Sequence, residues 1–180
     1  SAVLSIDAVG EWTSTAWGIA QDNRIEIKEE IRFPNSLGLL YSAFTVFCGF
    51  EPNEGEYKLM GLAPYGKPVY KEKIYKLINL FSDGSYSINM KYFSYEYDLK
   101  GIYTKEFLKL FGTPNTKSEK VIKYYADIAA SIQEVLEEIL VIIAMYVKKQ
   151  SGMSNLSYAG GVAYNSKANW QILNKAGFKN

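Results

Sequence analysis

The feature that most constrains the fold of this 180-residue chain is a long amphipathic helix. It is predicted to begin at a cap within Thr116–Glu119 and to end at Gln150. Ser118 is the preferred capping residue. Apolar side chains recur with a period close to 3.6, the period of an α-helix. They are Val121, Tyr125, Ile128, Ile132, Val135, Ile139, Ile142 and Tyr146. Such a helix is about 50 Å long. Its second half is apolar nearly all round, so we expect that half to be buried centrally.

Shorter elements around this helix predict an α/β fold. The first 32 residues predict a three-stranded antiparallel meander, from a short apolar run over residues 2–6, a stretch rich in Thr, Trp and Ile over 12–20 and an alternating pattern over 24–31. Helices are predicted over residues 37–50, 68–81 and 105–111, a loop over 51–66, and strands over 86–88 and 156–159. A glycine turn at Gly160-Gly161 then leads into a final helix over 162–176. Both ends of the chain have the character of cuts inside a larger protein.

The absence of histidine limits the chemistry that this chain can perform by itself. Ser-His-Asp catalysis, Cys-His catalysis and histidine ligation of a metal are all excluded from within it. Catalysis must therefore use carboxylates, lysine, tyrosine, backbone donors or a metal held mainly by oxygen. The single cysteine, Cys48, excludes an internal disulfide. We predict that it is a plain core residue in a cytoplasmic protein.

Charge and hydropathy exclude two classes of partner. Twenty basic and nineteen acidic residues give a net charge of +1, which provides no electrostatic basis for binding nucleic acid or a membrane surface. The longest strongly apolar run, residues 140–147, is far shorter than the roughly 18 residues that span a bilayer. We therefore predict neither a nucleic-acid partner nor a membrane partner.

Three segments are candidates for a functional site. The turn at Gly160-Gly161 lies between a strand and a helix, where backbone N–H groups can bind phosphate. A tight strand-to-helix turn without a ligand is the simpler alternative. Asp7 follows the first strand and can ligate a metal through oxygen, or it can bond its own backbone in an ordinary turn. In the segment 55–66, Glu56 can accept hydrogen bonds from ribose hydroxyls and Lys58 can contact phosphate. A surface loop is the alternative there.

Acidic residues of the long helix have simpler explanations. Glu134, Glu137 and Glu138 are predicted to form a solvated face. Asp127 is surrounded by alanine and isoleucine, an unusual place for a charge. We expect it either to take a buried hydrogen bond near the site or to cap a neighbouring element.

These motifs resemble those of the O-carbamoyltransferases of the nodulation-protein and antibiotic-tailoring type. Five segments match in family order and together cover nearly the whole chain. They are residues 7–12 (Asp-Ala-Val-Gly-Glu-Trp), 33–44, 55–66, 127–133 and 159–165.

The resemblance implies a fold and an activity. The fold is an α/β actin-like, sugar-kinase-type (ASKHA) domain, here partial, with an N-terminal antiparallel meander and a long central helix. Residues 1–180 would be a piece of that domain, without the second domain that forms carbamoyl-adenylate from carbamoyl phosphate and ATP. The activity is transfer of the carbamoyl group from carbamoyl-adenylate to the hydroxyl group of a small-molecule acceptor, assisted by an iron-like divalent metal that histidines and aspartates bind.

The resemblance also implies roles for individual residues. Asp7 matches a metal-binding aspartate, Glu56 and Lys58 match a nucleotide loop, and Gly160, Gly161 and Asn165 match an adenylate-binding glycine turn. No catalytic residue is assigned. We expect Asp7 and the glycine turn to converge on one cleft.

Departures from the family pattern shape the alternatives. The family's histidines are missing, and Ala8 replaces a usual glycine. We therefore expect this chain alone to be inactive, and the alternative function is a nucleotide-binding module without turnover. Sugar-kinase-like phosphoryl transfer would need a base aspartate and a phosphate loop that the sequence does not show. The acceptor is not specified by the sequence, and a homo-oligomer remains open.

Overall fold

The computed structural model describes residues 1–98, 101–116 and 122–180. They divide into two compact units. The first unit comprises Ser1–Gly38, Leu80–Tyr86 and Leu136–Asn180, and the second comprises Leu39–Asn79 and Ser87–Val135.

The described residues contain both strands and helices. In chain order the strands are β1 (Ala2–Ile6), β2 (Thr13–Gln21), β3 (Arg24–Arg32), β4 (Ile78–Leu80), β5 (Tyr86–Ile88) and β6 (Leu156–Ala159). The helices are α1 (Leu37–Phe47), α2 (Glu56–Leu62), α3 (Lys71–Ile74), α4 (Lys105–Phe111), α5 (Lys123–Ser151) and α6 (Ser166–Lys175). Short 3-10 turns include Gly10–Trp12, Ala63–Tyr65 and Gly161–Tyr164. The predicted mixed α/β class is confirmed.

A four-stranded sheet of order β3-β2-β1-β6 organises the first unit. β1, β2 and β3 form the predicted antiparallel meander, whereas β6 pairs with β1 in parallel. Ala2, Leu4 and Ile6 of β1 are buried, because successive side chains alternate between the two faces of a strand. Since β1 and β6 are neighbours and parallel, the loops that follow them leave from the same edge of the sheet.

An aromatic cluster forms the core of the second unit. Phe44 of α1 lies with its ring centroid 5.3 Å from that of Phe107 and 5.2 Å from that of Phe111. Phe47 also contacts Phe107, at 5.6 Å. Such tilted and edge-to-face pairs are the preferred arrangements of aromatic rings. Cys48 is 1% exposed, which confirms its prediction as a core residue.

The long helix is confirmed between Lys123 and Ser151, where its 29 residues span about 44 Å. The predicted cap at Ser118 and the apolar position Val121 lie outside the described residues. Apolar positions from Ile128 to Ile139 are buried as predicted. All-round burial of the second half is wrong, because Ile142 and Met145 are 37% and 52% exposed. The apolar residues there extend beyond the stripe that the fold covers.

Two local predictions are wrong. Residues 68–81 do not form one helix: α3 has four residues and is followed by a 3-10 turn and by β4. β4 pairs with β5 across the turn at Asp83-Gly84, where Gly84 has φ +76°.

Residues 51–66 are not a continuous loop, because α2 occupies Glu56–Leu62 and buries Leu59. The final helix is also shorter than predicted, because the 3-10 turn Gly161–Tyr164 precedes α6.

None of the helices in the described ranges combines the length and the apolar character needed to cross a lipid bilayer.

Candidate functional site

Asp7 and the glycine turn meet at the edge of the sheet where β1 and β6 end. A Cβ atom added to Gly161 would lie 3.1 Å from Oδ1 of Asp7. Gly160 has φ +91°, and a Cβ atom there would lie 2.2 Å from the carbonyl oxygen of Ile6. Gly160 is therefore required by the backbone, whereas Gly161 leaves room for the carboxylate.

The fold fixes the backbone of Asp7 from several sides. Its N–H donates to the carbonyl oxygen of Ser14 at 2.8 Å, and its carbonyl oxygen accepts from the hydroxyl of the fully buried Ser36 at 3.1 Å. Gly38 packs against the same peptide, because a Cβ atom there would lie 2.9 Å from the carbonyl oxygen of Asp7. The helix α1 thus holds Asp7 through its first residues and the serine before it.

The Asp7 carboxylate has one engaged oxygen and one open oxygen. Oδ1 accepts from the N–H of Ala8 at 2.8 Å. No side chain or N–H in the part of the chain that the structure describes donates to Oδ2. The open oxygen is available to a cation or to a proton.

The loop after Asp7 has an unusual backbone. Gly10, Glu11 and Trp12 have φ values of +50°, +53° and +90°. The left-handed region is unfavourable for residues with a side chain, so Glu11 and Trp12 store strain. Trp12 is also 68% exposed, although its ring contacts Phe33 edge-on at 5.8 Å. Ala8, which replaces the family's glycine, does not have a left-handed backbone.

Asn165 caps α6. Its Oδ1 accepts from the N–H of Ala168 at 3.1 Å, and the residue is 8% exposed. Nδ2 of Asn169 donates to the carbonyl oxygen of Ala163 at 2.7 Å and so fixes the turn before the helix. The structure thus shows Asn165 in a capping role, and its contact with a nucleotide stays a prediction.

Glu56 and Lys58 lie on α2, in the second unit. Oε1 of Glu56 accepts from the hydroxyl of Ser42 at 2.6 Å and from the N–H of Asn53 at 3.1 Å. Lys58 is exposed, and its Nζ lies 5.8 Å from the ring centroid of Tyr57. Glu56 is therefore directed towards its own unit, whereas Lys58 is directed towards solvent.

Asp127 anchors the chain just after α2. Its Oδ1 accepts from the N–H of Lys67 at 2.7 Å and from Nζ of Lys123 at 3.0 Å, so the predicted hydrogen bond is present. One helical turn later, Oγ of Ser131 accepts from the N–H of Tyr70 at 3.0 Å. Burial raises the pKa of Asp127, but the Lys67 N–H and the Lys123 ammonium lower the pKa by more.

The predicted solvated face of the long helix is wrong at Glu137, which is 6% exposed. Its carboxylate accepts from Nε2 of Gln171 at 3.2 Å and lies 3.3 Å from Nζ of Lys167. Both partners belong to α6, which covers this part of α5. Glu134 instead pairs with Lys71 at 2.6 Å.

Within residues 1–98, 101–116 and 122–180, no three acidic, cysteine or histidine side chains are grouped to hold a metal. Asp7 can supply one oxygen ligand, but these residues do not complete a coordination sphere. Metal ligation by Asp7 therefore stays a prediction.

Comparison with known proteins identifies the family. A family model described as "Carbamoyltransferase N-terminus" matches residues 1–180. The chain belongs to the carbamoyltransferase family. Nodulation protein NolNO of Sinorhizobium fredii is 32% identical over 182 residues, which are 99% of this chain and 25% of the relative. Nodulation protein NolO of Bradyrhizobium diazoefficiens is 32% identical over 176 residues, 96% of this chain and 30% of the relative.

An uncharacterized protein of Synechocystis is 47% identical over 182 residues, which are all of this chain and 29% of that relative. The chain thus spans less than a third of the length of each of these relatives.

In this carbamoyltransferase-family chain, sequence reasoning missed the residues that hold Asp7. Ser36 and Gly38 lie within residues 33–44, one of the five segments that resemble the family. That segment was the available signal. The contact with Asp7 could not be read from it, because 29 residues separate Ser36 from Asp7.

Proposed function

We propose that the protein containing this chain transfers a carbamoyl group from carbamoyl-adenylate to the hydroxyl group of a small-molecule acceptor. The observation that carries the proposal is the approach of the Asp7 carboxylate to Gly161, where the Cβ position lies 3.1 Å from Oδ1. This approach brings a carboxylate next to a turn of the kind that binds phosphate. Membership of the carbamoyltransferase family supports the reaction class, and the actin-like, sugar-kinase-type fold is part of the proposal.

The reaction needs a bound nucleotide and an oriented acceptor. The acceptor oxygen attacks the carbonyl carbon of the mixed anhydride, the bond from that carbon to the phosphate oxygen breaks, and AMP leaves with the electron pair. The acceptor proton passes to a base. Backbone N–H groups at Gly160 and Gly161, in the turn that leads into α6, would bind the phosphate. Asn165 keeps that end of α6 in place through its capping bond. ATP and carbamoyl phosphate would supply the donor.

Glu56 and Lys58 of α2 are further proposed contacts of the nucleotide. The Lys58 ammonium can pair with a phosphate, since it is exposed. Glu56 would accept from ribose hydroxyls with the oxygen that Ser42 and Asn53 do not use. The iron-like metal that the resemblance implies would take Asp7 as one ligand, and no step above depends on it.

The test is product formation by the full-length protein. It is incubated with carbamoyl phosphate, ATP and a panel of hydroxyl acceptors (methyl glucoside, N-acetylglucosamine and glycerol), and mass spectrometry detects the carbamoylated acceptor. We expect product with the wild type and a loss of about 100-fold in Asp7→Asn, which keeps the shape of the side chain but removes its charge. The matched control is Asp22→Asn, because Asp22 is an exposed residue of the β2–β3 turn.

Two outcomes would contradict the proposal. The first is the absence of carbamoylated product across the panel. The second is an Asp7→Asn variant that is as active as Asp22→Asn.

A further inference from the structure

Trp12 is a large apolar side chain that the fold exposes and yet holds in an unfavourable backbone conformation. Its indole is 68% exposed, and its φ is +90°. An aromatic side chain contributes most to stability when it is buried. Backbone strain of this kind persists only where the surrounding structure imposes it, and it is concentrated at ligand sites. Packing explains neither the exposure nor the strain of Trp12.

Three contacts fix the position of Trp12. Its N–H donates to the carbonyl oxygen of Val9 at 3.1 Å, and its carbonyl oxygen accepts from the N–H of Phe33 at 2.9 Å. The Phe33 ring also meets the indole edge-on, at an interplanar angle of 73°. These contacts leave most of the indole open to solvent. A ligand that stacks on it would therefore have little side-chain freedom to remove.

The loop that carries Trp12 belongs to the edge of the sheet where the candidate site lies. The N–H of Asp7 donates to the carbonyl oxygen of Ser14 at 2.8 Å, and this pair closes the loop between β1 and β2. Within the loop, a Cβ atom at Gly10 would lie 3.6 Å from Cβ of Asp7. Trp12 is thus held on the same short loop as the carboxylate that the proposed transfer uses.

The exposed groups of this loop suit a ring that carries hydroxyl groups. The face of an indole is negative, and a pyranose ring offers it a flat set of C–H groups with a slight positive charge. Glu11 is exposed, and its carboxylate has no partner among the residues that the structure describes. It can accept a hydrogen bond from a hydroxyl group. An open-chain polyol has the hydroxyl groups but lacks the ring face.

We propose that Trp12 is a stacking platform for a pyranose acceptor, and that Glu11 accepts a hydrogen bond from one of the hydroxyl groups of this sugar. This inference rests on the proposed function, because it specifies the acceptor of the same transfer. Stacking fixes the plane of the sugar ring. One hydroxyl group is then held towards the carbamoyl carbon, while the others are kept away from it.

The test measures acceptor preference in the full-length protein, as the ratio of kcat/KM for methyl glucoside to kcat/KM for sorbitol. Both compounds offer primary and secondary hydroxyl groups, but only methyl glucoside has a ring. We expect the wild type to prefer methyl glucoside. Trp12→Gly removes the indole and keeps the loop, because glycine adopts a φ of +90° without strain. It should raise the KM for methyl glucoside about tenfold and leave the kinetics with sorbitol unchanged.

Two further variants separate the ring face from the hydrogen bond. Trp12→Phe keeps an aromatic face, so the preference should stay within about threefold of the wild type. Glu11→Gln keeps an acceptor oxygen but loses the charge, and it should raise the KM for methyl glucoside by about threefold. The matched control is Trp170→Ala, because Trp170 is a 61% exposed tryptophan of the same unit, on α6. Its preference should equal that of the wild type.

A binding measurement without turnover separates this inference from the proposed transfer. Saturation-transfer NMR is recorded with methyl glucoside and the full-length protein, without a carbamoyl donor. We expect a signal from the ring protons in the wild type and in Trp170→Ala, and its loss in Trp12→Gly.

Several results would overturn the inference and leave the proposed transfer intact. They are a Trp12→Gly variant with the KM and the NMR signal of the wild type, an equal loss of kcat/KM for both acceptors, and a wild type that prefers sorbitol or gives no NMR signal. A change of mass in Trp12→Gly by light scattering would assign the indole to a second copy instead. Binding of methyl glucoside through Trp12 without carbamoylation of any acceptor would keep the pyranose site and contradict the proposed function.

Discussion

At the candidate site, glycines occur where a neighbouring atom occupies the space that a side chain would need. The two glycines of the turn after β6 differ in what they meet. At Gly160 the obstacle is the carbonyl oxygen of Ile6, which belongs to a paired strand and cannot move. At Gly161 the obstacle is the Asp7 carboxylate, which can shift by a few tenths of an ångström. Substitutions at the two positions should therefore act on different properties.

We predict that Gly161→Ala lowers transfer activity with little loss of stability, because the new methyl group displaces the carboxylate rather than the backbone. The expected decrease in kcat of the full-length protein is about tenfold or more. Gly160→Ala should instead destabilise the fold by about 2 kcal/mol or more, because it adds a clash to a left-handed backbone. Steady-state kinetics and thermal unfolding distinguish the two, and equal effects of both variants on stability would contradict this assignment.

Cys48 permits a prediction about reactivity at the same scale. Burial raises the pKa of its thiol to about 12. The thiolate is the reactive form of cysteine, so Cys48 is almost entirely protonated at pH 8. We expect iodoacetamide to leave Cys48 unmodified in the folded chain at pH 8 and to modify it in urea, as measured by the mass of the chain. Rapid modification of the folded chain would show that Cys48 is accessible.

At the scale of elements, side chains of α5 provide hydrogen-bond acceptors for backbone N–H groups of an irregular segment. The N–H groups of Lys67 and Tyr70 belong to an irregular stretch between α2 and α3, and they donate to Asp127 and Ser131. These two acceptors lie four residues apart, on one face of α5. A Cβ atom at Gly66 would lie 2.0 Å from the carbonyl oxygen of Ala126, so the stretch packs directly on the helix.

We predict that Asp127→Ala destabilises the chain by about 1–2 kcal/mol, because the N–H of Lys67 loses its acceptor. Asp127→Asn keeps an acceptor oxygen and should cost about 0.5 kcal/mol through loss of the Lys123 pair. The pKa of Asp127 is lowered in the folded state. Its charge therefore contributes stability above the unfolded pKa, and this contribution disappears as the pH falls through the folded pKa. Urea unfolding should show the gap between wild type and Asp127→Asn closing below about pH 4, and a gap independent of pH would contradict the prediction.

The elements that the sequence predicted well are those whose pattern is local and long. The strand-like patterns of residues 2–6, 12–20 and 24–31 were together sufficient for the meander, and the 3.6 period was sufficient for α5. The helix prediction was wrong at residues 78–80, because a few apolar residues fit a helix and a strand equally, and pairing with β5 decides between them. The prediction that Glu137 is solvated was wrong for a similar reason, because its burial depends on α6, which lies about thirty residues later in the sequence.

The candidate site shows the same division between local and distant information. The approach of Asp7 to the glycine turn was expected from the family resemblance, and the structure brings the two together. The contacts of Ser36 and Gly38 with the Asp7 peptide could not be predicted, because nothing in residues 36–38 indicates which distant peptide they pack against.

At the scale of the whole molecule, the residues with proposed roles belong to two compact units. The first contains Asp7 and the glycine turn, and the second contains Glu56 and Lys58. We propose that these residues contact the nucleotide. The described residues offer a single carboxylate at Asp7 and no grouped set of metal ligands. Binding and turnover should therefore separate when the 180-residue chain is studied alone.

We predict that the isolated 180-residue chain binds AMP weakly and transfers no carbamoyl group. Calorimetry should detect binding that Lys58→Gln weakens, because Lys58, the proposed phosphate contact, lies within this chain. Mass spectrometry should detect no carbamoylated acceptor when the chain is incubated with carbamoyl phosphate, ATP and the acceptor panel, under conditions in which the full-length protein forms product. Transfer by the isolated chain would show that residues 1–180 hold a complete catalytic site. That result would require the Asp7 carboxylate, with the residues around it, to carry the reaction unaided.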